Sequence, residues 1–217
     1  MPTPTLFTAV VVATNINPSI FSQVWLTKTG VFSESDFQAE SVLSPFAVNV
    51  VTPSLAQMAI PQNLQVIFPP GDEKNNREAL LQQTIGRIVA ELPHTPFQAV
   101  GFNMGWVLQP QDPGEIDKLE RIFFLSKSNP LSGEFEETNC HFGCYLSKDF
   151  EIGRLKLDIK PVTLLDQSQA LQLAFNFHLD LKEEDKAKQI VRFLGKWNAA
   201  YKMAKDLANI LGKGWSK

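Results

Sequence analysis

Phe7-Thr8-Ala9-Val10 and Phe97-Gln98-Ala99-Val100 open two segments that then run through the same order of patterns. After the first come an Asn17-Pro18 helix start, a strand-rich stretch, Leu64-Gln65-Val66-Ile67-Phe68 and a long helix pattern. After the second come Asp112-Pro113, another strand-rich stretch, Leu171-Gln172-Leu173-Ala174-Phe175 and a second long helix pattern. An internal repeat constrains a fold more tightly than any single propensity, because both copies must satisfy one packing scheme. It predicts an α+β protein made from a duplicated β-α-β-β-β-α unit, with a largely antiparallel curved sheet and helices packed on one side. The units are residues 1–96 and 97–217, joined as one compact domain with a pseudo-twofold.

Within the first unit, β-branched and apolar residues predict a strand over Leu6 to Ile16. Asn17 caps the following helix, Pro18 suits its first position and Gly30 ends it. Strands follow at 46–51, 55–60 and 64–68, and a helix runs from an Asp72 cap to Leu92 with Leu81, Ile85 and Ile88 on one face. The second unit gives a strand at Phe97–Leu108, a short helix at Glu115–Phe124 and a surface loop at Ser126–Gly133. Strands at Cys140–Leu146, Arg154–Lys160 and Leu171–Leu179 come next. A last helix starts at Asp180 and Glu183 in capping-box spacing, carries Ile190, Leu194, Trp197, Tyr201, Ala204 and Ala208 inward, and stops at Gly212. Matching the two first strands residue by residue puts Ala9, Val11 and Ala13 with Ala99, Gly101 and Asn103. Those small residues are expected to face the helices, where they allow close approach.

Architecture of this kind resembles the TATA-box-binding-protein fold and is similar to duplicated small-molecule-binding domains of the multidrug-regulator type. The resemblance is one of element order, so no functional residue of either family is carried over.

Charge is unevenly spread. Residues 1–71 hold one base, Lys28, and three acids, Glu34, Asp36 and Glu40, whereas from Phe97 onward there are sixteen of each sign. A long uncharged half points to a buried sheet half or to a surface covered by a partner. The net charge of −3 argues against a dedicated nucleic-acid binder. No run reaches the ~18–20 apolar residues of a membrane span, the first residues lack a signal-peptide pattern, and two cysteines are too few for a secreted scaffold. The expected location is cytoplasmic, without a membrane partner.

Two groups of residues carry the binding chemistry. Strict alternation over Arg154–Lys160 and Leu171–Asp180 places Arg154, Lys156, Lys160, Gln172, Asn176 and His178 on one open sheet face, which is either simply solvated or able to meet an anionic ligand, a peptide or phosphates. Phe102, Met104 and Trp106, with Phe175 and Phe177, are the candidate lining of a pocket between the halves. Cys140-His141-Phe142-Gly143-Cys144 suggests zinc, but on a strand the two thiols stand about 13 Å apart at ~3.3 Å per residue. No metal and no cofactor are therefore expected, and no catalytic motif occurs. The leading expectation is a non-enzymatic binding or assembly module that engages a protein partner or itself through an open sheet face. A small-molecule sensor with a pocket between the halves and a nucleic-acid binder using the basic face are the alternatives.

Overall fold

The computed structural model describes residues 1–71, 76–110, 140 and 143–215. Nine strands among the described residues form one sheet: β1 (Thr3–Ala13), β2 (Val42–Leu43), β3 (Val48–Val51), β4 (Ala56–Ile60), β5 (Asn63–Phe68), β6 (Phe97–Leu108), β7 (Cys144–Phe150), β8 (Gly153–Thr163) and β9 (Gln169–Asp180). Their order is β2-β3-β4-β5-β1-β6-β9-β8-β7, and every pairing is antiparallel. Four helices accompany the sheet among the described residues: α1 (Gln23–Lys28), α2 (residues 77–91), α3 (Lys186–Leu194) and α4 (Trp197–Trp215). The α+β class and the single curved antiparallel sheet follow the sequence expectation, while the extra strand β2 and the division of the expected last helix into α3 and α4 do not.

Helix starts are set by local side-chain chemistry. Ser22 accepts from the Trp25 N–H, Asn76 from the Ala79 N–H and Asp185 from the Lys188 N–H, each satisfying a donor that the first turn leaves unpaired. Asn17 caps only a 3₁₀ turn, Pro18–Ile20, before α1 begins. Gly30, at φ 67°, ends that region in the left-handed conformation that glycine adopts without strain. The last helix does not start at Asp180. That residue is the end of β9, paired with Ala99, and Asp185 takes the cap instead. Gly212 does not stop α4 either; a Cβ there would lie 3.2 Å from Pro2 Cδ, so the glycine allows the N-terminus to pass close by. The expected strand at Cys140–Leu146 is displaced toward Phe150. Asp72, the Glu115–Phe124 helix and the Ser126–Gly133 loop lie outside the described residues.

One layer of apolar side chains joins sheet and helices. Phe7, Ala9 and Val11 of β1, Val66 and Phe68 of β5, Phe102, Met104 and Trp106 of β6, and Phe175 and Phe177 of β9 pack under α2, α3 and α4 in one core. Phe102 stacks on Phe193 with centroids 4.7 Å apart, and Trp197 meets its edge at 5.0 Å. Trp106 stands edge-on to Phe7 at 5.3 Å and to Phe175 at 5.4 Å. In the middle of α2 the turn Gln82–Gly86 is π-helical, and Gln82 Nε2 donates to the Val191 carbonyl of α3 across 2.9 Å. Nothing in the linear pattern signals that inserted residue; it is a local unwinding that serves the contact between the two helices. No helix among the described residues is long and apolar enough to cross a membrane.

The residue-by-residue match of the two first strands is out of phase. Ala9 pairs with Phe102 on the helix side, whereas Ala99 pairs with Val12, which is 36% exposed. Because side chains alternate, an odd shift exchanges the two faces. Gly101 and Asn103 accordingly face away from the helices. Gly101 is small for a different reason: a Cβ would stand 2.9 Å from the Phe177 carbonyl of the neighbouring strand. That contact is with backbone and cannot yield cheaply. Gly101→Val is expected to cost roughly 1–3 kcal/mol, read as a lowered urea midpoint. Unchanged stability would show that the β6–β9 curvature is not fixed at this point.

Candidate functional site

The face turned away from the helices divides into two parts. Five adjacent strands, β3, β4, β5, β1 and β6, carry no charged residue at all. Their outward residues include Leu6, Val10, Val12, Met58 and Ile67, with Leu6 44% exposed. A cleft of about 310 Å³ opens beside them, lined by Leu6, Val51, Ala56, Ile67, Pro69 and Pro70 among others. Apolar outward residues on a sheet without any gatekeeping charge are unusual on a surface that stays in water, since natural sheets usually interrupt such areas with lysine or another charge.

A polar seam runs from this area toward β9. Asn176 Nδ2 donates to Asn103 Oδ1 at 2.7 Å, and Asn103 Nδ2 donates to Thr8 Oγ1 at 3.3 Å. Thr8 is only 2% exposed, so the chain of amides and hydroxyl satisfies groups that would otherwise be buried unpaired.

Beyond the seam the face becomes charged. The β8–β9 register sets Arg154 opposite His178, Lys156 opposite Asn176 and Lys160 opposite Gln172, bringing the six basic and polar candidates together on one side. Acids are interleaved with them. Arg154 donates to Asp149 Oδ1 at 2.9 Å and, through Nε, to Ser147 Oγ at 2.6 Å; Lys160 lies 3.7 Å from Asp158. Those pairs are exposed and add little stability, but they reduce the field that a phosphate backbone would meet. His178 Nε2 is 2.8 Å from Asp180 Oδ1. That hydrogen bond, with the attraction of the ring's charge, holds the Asp180 carboxyl below the usual carboxylate range, so it stays ionised beside the imidazole.

At the end of this strip a second cleft, about 360 Å³, is lined by Arg154, Lys156, His178, Asp180, Lys182 and Gln189 among others. Lys182 and Gln189 are not visible as site residues in the sequence, because they reach the cleft from the turn after β9 and the first turn of α3. The one available signal was a glutamine four residues before Phe193, on the buried side of an amphipathic helix.

Phe102, Met104 and Trp106 line neither of these clefts. They are 0, 1 and 3% exposed and fill the core against Phe193, Trp197 and Tyr201. Two unexpected polar residues share that interior. Arg77 is stacked over Phe7 at 4.6 Å and Phe68 at 5.2 Å and donates to the Pro69 carbonyl at 2.8 Å. Gln57 is fully buried, and neither atom of its amide has a hydrogen-bond partner among the described residues. Cys140 and Cys144 are free thiols. Burial first, and Asp158 second, push the Cys144 thiol up, which disfavours the thiolate that a metal or an electrophile needs. No cluster of three or more metal-binding side chains occurs among the described residues.

No protein-family model matches this chain, and no curated protein matches it. A solved structure, that of DynU16 from the dynemicin biosynthetic locus, is similar at 12% identity over 93% of this chain and 98% of that one, with a TM-score of 0.27. A likeness of that size carries no argument for function.

Proposed function

We propose that the protein is a non-enzymatic binding or assembly module whose open sheet face engages another protein surface, its own or a partner's. The observation that carries this reading is the run of five adjacent strands without a charged side chain, on the face opposite the described helices. Burial of such a face against a second apolar surface is favourable at roughly 25 cal/mol per Å². The charged strip beyond the Thr8–Asn103–Asn176 seam then forms a polar rim, which gives register and partner choice more than affinity. A nucleic-acid partner is the weaker reading, since Asp149 and Asp158 sit against Arg154 and Lys160.

The strand order also supports reading residues 1–96 and 97–217 as two copies of one unit related by a pseudo-twofold. In each half the first strand pairs with the last, β1 with β5 and β6 with β9. Equivalent residues in such a pair of copies are separated by an odd number of positions, because inward residues are odd-numbered in β1 and even-numbered in β6.

The test uses Leu6→Lys/Val12→Lys, both exposed positions on β1. The double variant is expected to keep its thermal midpoint and to lose at least tenfold in association constant, about 1.4 kcal/mol, in light scattering or partner titration. Association unchanged by two ammonium groups in the middle of this face would remove the proposal.

A further inference from the structure

The cleft at the charged end of the open face has the donors of an oxyanion site. Gln189, on α3, is only 6% exposed. Its Oε1 accepts from the backbone N–H groups of Lys182 and Glu183, both at 3.2 Å. Those two contacts fix which end of the amide is oxygen and leave the Nε2 donor turned to the other side, with no hydrogen bond among the described residues. Because Gln189 lines the cleft and this nitrogen is not one of the buried atoms left without a partner, the donor is open to solvent there and ready to meet an acceptor. Lys156 and Lys182 line the same cleft, and neither makes an ion pair among the described residues. Arg154 is committed to Asp149 and Ser147, and Asp180 to His178.

Two ammonium groups and a fixed amide donor therefore line one opening, where the carboxylate among the described lining residues, that of Asp180, is engaged by the His178 imidazole and is also stabilised by the charges of Lys182 and Lys156. Gly153 keeps the floor of the cleft low: a Cβ there would lie 2.5 Å from the His178 carbonyl. Such a donor set suits a group with two or three acceptor oxygens and a negative charge. We infer that this cleft is an oxyanion subsite that takes a phosphate or carboxylate group between Lys156 and Lys182, with Gln189 Nε2 donating to it. The inference deepens the reading of the open face as a binding surface, since Lys156 and His178 belong to both. The group it accepts comes either from a small free anion or from an acidic side chain or terminus of a protein partner.

The experiment is a titration of the isotopically labelled full chain with inorganic phosphate, with acetate and with a short Asp/Glu peptide, following the Gln189 side-chain amide resonances. Glu at position 189 keeps the acceptor for the Lys182 and Glu183 N–H groups while replacing the donor with a negative charge, so Gln189→Glu separates binding from folding. The wild type is expected to show a saturable shift of the Gln189 amide, with phosphate and acetate giving it if the source is a free anion and the peptide giving it at lower concentration if the source is a partner. Gln189→Glu, followed through the His178 ring resonances, is expected to bind at least tenfold more weakly, and Lys156→Gln/Lys182→Gln likewise. A non-saturable response to all three probes, or equal binding by Gln189→Glu, would overturn the inference. A null result here with association still abolished by Leu6→Lys/Val12→Lys would leave the protein-binding face standing and remove only the subsite.

Discussion

Phe102→Ala is expected to destabilise the protein by about 3–5 kcal/mol, lowering the thermal midpoint by roughly 6–20 °C in a chain of this size. Phe102 is fully buried between β6 and the two C-terminal helices, with Phe193 stacked at 4.7 Å and Trp197 edge-on at 5.0 Å. Truncation leaves a cavity that Trp197 cannot readily close, because it is held by a further ring, that of Phe68 at 5.3 Å. The size of the loss distinguishes two roles. A side chain lining a ligand opening would already be missing neighbours on one side, and its truncation would cost well under half as much. A loss below about 1 kcal/mol, measured by calorimetry or denaturant unfolding, would therefore restore the pocket reading for Phe102, Met104 and Trp106.

Gln57→Met is expected to act in the opposite direction. Gln57 pairs with Val50 and Val66 on the helix side of β4, is 0% exposed, and leaves both amide atoms without a partner among the described residues. An unsatisfied buried polar group costs about 1–3 kcal/mol. Methionine has nearly the same length, no polar atom to satisfy and enough freedom to fit an irregular space, so repacking strain should be small. The urea midpoint is expected to rise by the equivalent of about 1–3 kcal/mol with an unchanged slope. A loss of stability of similar size would mean that a buried water serves the amide, and that the first half of the core holds a polar site.

Legibility followed the kind of signal. Strict alternation over 154–160 and 171–180 was enough to put Arg154, Lys156, Lys160, Gln172, Asn176 and His178 on one face, because a period of two admits only two faces and one is apolar. Most of the strands, the Asn17 cap and the Gly30 ending were readable from β-branched runs and cap chemistry for the same local reasons, whereas the two-residue β2 was too short to signal itself and the Cys140–Leu146 strand was displaced. The phase between the two halves was not. Ala9 and Ala99 look alike in sequence, yet whether a small residue faces a helix or the open side depends on register with neighbouring strands, a non-local property. Asp180 misled as a helix cap because its carboxylate is claimed by His178, a partner two residues back on the same strand. Gln57 and Gln189 share one lesson: a glutamine in an apolar pattern reads as a tolerated substitution until coordinates show which of its atoms are paired.

The account rests on the uncharged open face being covered in the protein's working state. The direct measurement is solution mass by light scattering, together with the accessibility of the Leu6, Val12 and Ile67 methyl groups to a soluble paramagnetic probe, in buffer and in concentrated cell extract. The prediction is a mass above the 24.3 kDa of one chain, or selective protection of those methyls in extract, either of them lost in Leu6→Lys/Val12→Lys. A wild-type protein that stays at 24.3 kDa, with the same methyls equally open to the probe in both media, would contradict it.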